Sequence, residues 1–167
     1  MGAKGYVVSE QAHVVNILPP VDVTGGVVAQ AFSMKEHHHA SILLQIGVSA
    51  AAFTKILLNA CTKADGTGPT PLPFAIYAQE TAGADKDVLT IPGGTNTPRQ
   101  QIGAAGYAPS ANNGIFYTIE LDAAELPDGS PYVQLQLTNT SNSVIASAVA
   151  ILTGSRFAGA KSTTATA

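Results

Sequence analysis

The stretch 115–153, IFYTIELDAAELPDGSPYVQLQLTNTSNSVIASAVAILT, decides the fold. Ile115, Tyr117, Ile119 and Leu121 alternate with Phe116, Thr118, Glu120 and Asp122. Successive side chains of a strand point to opposite faces, so this alternation gives one apolar face and one mixed face. Val133, Leu135 and Leu137 repeat the pattern against Tyr132, Gln134, Gln136 and Thr138. A third run places Val144, Ala146, Ala148, Ala150 and Leu152 on one face and Ile145, Ser147, Val149 and Ile151 on the other. Between the first two runs, residues 123–126 suit a single helical turn. Pro127-Asp128-Gly129 then reverses the chain, with Asp128 able to accept a local backbone hydrogen bond and Gly129 able to take a positive φ. Joined by short connections, the three runs read as an antiparallel meander.

Working back toward the N-terminus, the same grammar recurs in shorter phrases. Residues 13–18 form an apolar run before Pro19-Pro20, where two missing backbone donors should end a regular ladder. Gly25-Gly26 offers a turn before a strand over 27–34. In 40–48, Ile42, Leu44, Ile46 and Val48 share one face, and Leu43 makes the other partly apolar. Residues 50–61 open with three alanines, which favour a helix, yet they follow a strand directly and run toward Asp65-Gly66; a strand is expected here, with the helix left open. Residues 65–73, with Pro69, Pro71 and Pro73, read as a loop, and 74–79 and 88–91 as further short strands. The excursion 92–114 is poor in large apolar side chains and reads as an extended arm, irregular or ordered against a neighbour. Altogether about seven or eight strands are expected, so the fold class is all-β: an antiparallel β-sandwich or jelly-roll-like module with extended loops or arms. One domain over 1–157 is expected, followed by a flexible tail over 158–167.

Charged residues make up 11% of the chain, against about 25% in an ordinary soluble domain. Ser, Thr, Asn, Gln and small apolar residues must therefore cover much of the surface, which can meet another protein without stripping many charges of water. The net charge is -3 and the cations are scattered singly, which argues against direct nucleic-acid binding and against a polybasic membrane patch. The N-terminal residues do not look like a signal peptide, and the apolar runs are too interrupted to cross a membrane. Cys61 is the only cysteine, so no intrachain disulfide can form, and a buried or half-buried thiol is expected.

Few residues invite chemistry. His37-His38-His39, with Glu36 and His13, could supply a zinc-like nitrogen and oxygen set or a pH-sensitive interface; a polar loop leading into a strand is the expected role. Glu120 and Asp122 share a strand face at a spacing that a glycosidase could use, but a solvated face is the expected reading. Ser49 lacks the second glycine of a nucleophile elbow, and Gly93-Gly94 lacks the surroundings of a phosphate loop. No catalytic, cofactor-binding or metal-binding residue is assigned, and the chain is expected not to be an enzyme.

The string 115–129, taken with Pro131-Tyr132-Val133-Gln134-Leu135 and the closing residues 150–157, resembles small structural proteins of tailed bacteriophages, often found among head-assembly proteins. Residues 15–21 and Phe74-Ala75-Ile76-Tyr77 fit the same pattern, so the likeness spans most of the chain. What it implies is a virion component, assembled in the host cytoplasm, that binds or decorates the capsid and stabilises it by subunit contacts. Its partners would be the major capsid protein or other virion proteins, and further copies of itself in a homo-oligomer. The rival is a carbohydrate-binding β-sandwich or adhesion domain, for which an exposed Tyr77, Tyr107 or Tyr117 beside Asn and Asp residues would have to form the platform.

Overall fold

A computed structural model describes residues 5, 7–49, 54–81, 100–109, 114–139 and 141–156. Its strands are β1 (His13–Asp22), β2 (Val27–Val28), β3 (Phe32–Ser33), β4 (His37–Ser49), β5 (Lys55–Cys61), β6 (Thr70–Leu72), β7 (Phe74–Thr81), β8 (Gln100–Ile102), β9 (Ile115–Asp122), β10 (Tyr132–Thr138) and β11 (Val144–Ser155). Among the described residues, helical structure is confined to one turn at Val8–Gln11 and a 3-10 turn at Ala123–Glu125. The strands form two sheets. One runs β1-β11-β4-β9-β7-β8, the other β2-β10-β5-β6, with β3 also on β10. Every pairing is antiparallel. The all-β expectation is therefore met.

The alternations in 115–153 hold residue by residue. Tyr117, Ile119 and Leu121 of β9, Val133, Leu135 and Leu137 of β10, and Ala146, Ala148, Ala150 and Leu152 of β11 are all buried. They join Ile42, Leu44 and Ile46 of β4 and Ile56 and Leu58 of β5 in one apolar cluster drawn from both sheets. The inward alanines of β11 leave volume that the cluster fills elsewhere with Phe32, Met34, Phe74 and Tyr117.

The meander is corrected. β9 and β11 lie in the six-stranded sheet, separated by β4, while β10 belongs to the other sheet. An alternating pattern fixes which face of a strand is buried but says nothing about which strand lies beside it. The connections 123–131 and 139–143 are long enough to step across the roughly 10 Å between facing sheets. In the first of them the 3-10 turn starts just after Asp122, whose backbone N–H donates to Glu125 Oε2 at 2.9 Å.

Four further expectations change. β1 runs through Pro19-Pro20 to Asp22, because among the described residues it is an edge strand with β11 as its single neighbour and needs no donor on its outer side. Its register against β11 slips between Asn16 and Leu18 and between Leu18 and Val21, which absorbs the prolines as bulges. The run 27–34 divides into β2 and β3, with Ala29 N–H bonded to Leu135 C=O between them. Within 65–73, Thr70–Leu72 pairs with β5 as an edge strand; Pro71 sits opposite Asn59. His37–His39 form the first residues of β4 and not a loop before it. Lys55–Cys61 is a strand, as favoured, while 50–53 lie outside the described residues.

Of the 92–114 excursion, 100–109 and Gly114 are described, and 100–109 lies on the body. Gln100–Ile102 pairs with Phe74–Ile76, and Tyr107 exchanges two backbone hydrogen bonds with Ile56, at 2.7 and 2.9 Å. Gly106 makes this approach possible: it holds φ +82°, and a Cβ there would stand 2.7 Å from the Ile56 carbonyl oxygen. Residues 88–91 and 158–167 lie outside the described residues.

Candidate functional site

Among the described residues, several ionisable side chains gather where β4 begins. Outward positions of β4 continue the alternation past Ala40, so His39, Ser41 and Leu43 share the face turned away from the core. Register places His39 opposite Asp122 and Ser41 opposite Glu120 on β9. His39 Nδ1 lies 2.7 Å from Asp122 Oδ1, and His39 Nε2 lies 2.7 Å from Glu120 Oε2. The Ser41 hydroxyl donates to the same Glu120 oxygen at 2.6 Å. The site is open: the His39 and Asp122 side chains are 35% and 63% exposed, and Glu120 is 20% exposed.

Two histidines of this end experience opposite fields. Partial burial opposes the charge on His39, but its hydrogen bonds to Asp122 and Glu120 and the charges of those carboxylates outweigh it, and the pKa is raised. His37 is buried and its ring stacks on that of His13, with centroids 6.1 Å apart. Burial, then repulsion from His13, hold its pKa below the ordinary value, against a smaller pull from Glu36. The sequence suggested His37, His39, His13 and Glu36 as one group; the structure separates them into a His13–His37 stack and a His39–Glu120–Asp122 cluster. Among the described residues no group of three or more His, Cys, Asp or Glu is arranged to hold a metal ion. Glu120 and Asp122 engage one imidazole and do not face each other across a substrate-sized gap.

Beside this end lies a shallow depression of about 250 Å³ between Met34, Lys35, Leu126, Pro127, Pro131 and Arg156. Lys35 Nζ sits 5.0 Å from the centre of the Tyr132 ring and donates to its hydroxyl at 3.2 Å. Of the tyrosines named for a sugar platform, the two whose side chains are described do not form an exposed one. Tyr117 is a core residue, 1% exposed, and Tyr107 meets it edge to face with centroids 6.0 Å apart. The Tyr77 side chain lies outside the described ones. Cys61 is buried, as expected, with its thiol 3.9 Å from Gln134 Oε1; burial, helped by Asp65, raises its pKa.

Comparison with known protein families, with curated proteins and with solved structures finds no match to this chain. The link between His39 and the two carboxylates was within reach of the sequence only in part. Period two puts all of them on outward faces, but nothing in the sequence says that β4 and β9 are neighbours.

Proposed function

We propose that the chain is a structural subunit of a larger protein assembly, a virion component of a tailed bacteriophage that binds or decorates the capsid. The single observation that carries this reading is the outward face of the six-stranded sheet. On its three middle strands, β4, β9 and β11, the outward carboxylates lie at the His39–Glu120–Asp122 end, and beyond them the face is Leu43, Phe116, Thr118, Ser147, Val149 and Ile151, all of intermediate exposure, around the exposed amide Gln45. The free face of an antiparallel sheet in a monomer is ordinarily polar. A face without charges across neighbouring strands can be covered by protein at little cost in desolvation.

The strand order supports the same reading at the level of architecture. We read the two sheets as a β-sandwich of jelly-roll type. Setting aside β7 and β8 and taking β2 with β3, eight strands remain, paired first with last (β1–β11), second with seventh (β2 and β3–β10), third with sixth (β4–β9) and fourth with fifth (β5–β6). Jelly rolls serve viral capsids, and they serve lectins too, so the order alone does not choose between them. Burial of Tyr117 and its contact with Tyr107 weigh against the carbohydrate alternative.

The test is association. Sedimentation velocity over a wide concentration range and co-sedimentation with tailed-phage heads should show binding by the native chain. Leu43→Glu or Val149→Lys, which face each other across β4 and β11, should weaken it by roughly tenfold or more, about 1.4 kcal/mol, with an unchanged melting temperature. A chain that stays monomeric and leaves the heads bare, or variants that associate as the native chain does, would end this reading.

A further inference from the structure

The contacts of His39 constrain its protonation by geometry. An ionised carboxylate is purely an acceptor, so each 2.7 Å contact, to Asp122 Oδ1 and to Glu120 Oε2, needs an N–H on the ring. Neutral imidazole has one N–H and one lone pair; imidazolium has two N–H groups. Ser41 donates a further hydrogen bond to the same Glu120 Oε2, at 2.6 Å. We propose that His39 is a protonation-dependent clamp between β4 and β9: as imidazolium it ties both carboxylates of β9 to β4, and on losing a proton it lets one of them go.

The groups around the clamp define how sharply it responds. From β9 come Glu120 and Asp122, and from the 3-10 turn comes Glu125, held to the Asp122 N–H. On β4 and just before it lie His37, His38, Glu36 and Lys35; after β11 comes Arg156, whose N–H bonds Glu36 C=O. The β11 residue opposite His39 is Thr153, and the β7 residue opposite Glu120 is Ala75, neither of which titrates. His39 is therefore the ring that bridges the two carboxylates. When it becomes neutral, a nitrogen lone pair faces one of them, and Glu120 and Asp122 remain as like charges about 7 Å apart along one strand face. The raised pKa of His39 agrees with this arrangement. Because the folded value lies above the unfolded one, near 6.5, the clamp's stabilisation is complete below that pH and is lost as pH rises through the folded value. His37 works with the opposite sign: its depressed pKa gives stability above 6.5 that is lost as pH falls through its folded value. The inference stands apart from the assembly reading and does not need a partner.

Long-range proton–nitrogen correlation spectra of the intact protein between pH 5 and 9 read the clamp directly. Both His39 nitrogens should be protonated at pH 7, the ring should titrate above the ordinary histidine value and above His37, and E120Q and D122N should each move the titration downward. Thermal melts supply a second reading. The gap in melting temperature between the native chain and H39Q should be widest near pH 6 and close toward pH 9, while the His37 contribution cancels in the difference. A single neutral tautomer of His39 at pH 7, a titration unmoved by either carboxylate variant, or a melting gap independent of pH would overturn the proposal. If H39Q does not fold, the native spectra and those of D122N decide.

Discussion

Replacing Gly106 by alanine tests whether the 100–109 segment belongs to the body of the fold. Gly106 holds φ +82°, a left-handed conformation that costs an alanine about 1–2 kcal/mol. The new Cβ would also stand 2.7 Å from Ile56 O and 2.9 Å from Leu57 Cδ2. Backbone carbonyls of a strand held between neighbours do not yield easily, so the Tyr107–Ile56 pair of hydrogen bonds should open, at about 1 kcal/mol each. The sum is a loss of roughly 3–4 kcal/mol, read as a shift in the urea midpoint at constant slope. Gly103→Ala is the matched control. It lies in the same turn, outside the left-handed region and with nothing within 4 Å of an added Cβ, so it should stay within about 0.5 kcal/mol of the native chain. Hydrogen exchange adds a local readout: the Ile56 and Tyr107 amides should lose protection in Gly106→Ala and keep it in the control. Equal stability of the two variants, with unchanged exchange at Ile56, would refute the claim that this segment is docked on β5.

Two further outcomes follow from single side chains. Asp22 accepts from Thr24 Oγ1 at 2.7 Å, from Thr24 N at 2.9 Å and from Ser143 Oγ at 2.8 Å, tying the 22–26 turn to the start of β11. Hydrogen bonds from the Thr24 and Ser143 side chains lead in lowering its pKa to about 2, so its contribution is present above the ordinary value of 3.8 and is lost as pH falls through about 2; Asp22→Asn should flatten the acid limb of a stability–pH curve in that window. The Cys61 thiol, buried and with a raised pKa, should resist a thiol-specific disulfide reagent in the native protein at neutral pH and react stoichiometrically in denaturant; fast native labelling would place it elsewhere.

Faces were legible in the sequence, and neighbours were not. Tyr117, Ile119, Val133, Leu135, Ala148 and Ala150 all point inward as their alternation requires, because burial of one face is a property of the strand itself. The assignment of β10 to the second sheet depends on what lies beside it, and the turn residues 127–129 serve a crossing between sheets as well as they serve a hairpin. Pro19-Pro20 poses the same problem. A proline pair ends a strand in a sheet interior and is harmless on an edge, and only the topology reveals that β1 is an edge. The candidate site was visible as its separate parts, His39 on one strand and Glu120 with Asp122 on another. Their union is a matter of register between segments about 80 residues apart in sequence.

The crossing of the last three strands between sheets has a consequence for how the chain is made. β4, at the middle of the six-stranded sheet, takes both of its neighbours, β9 and β11, from the final third of the sequence, and β1 pairs with β11. During synthesis the first hundred residues can close little more than the β5–β6 pair, while β4 waits with Ile42, Leu44 and Ile46 uncovered on one face and both hydrogen-bonding edges open. Long-range pairing of this kind folds slowly and exposes strand edges to association in the meantime. Chains truncated before Ile115 should therefore accumulate as aggregates, and the moment at which β11 emerges should set the time at which the molecule becomes resistant to protease.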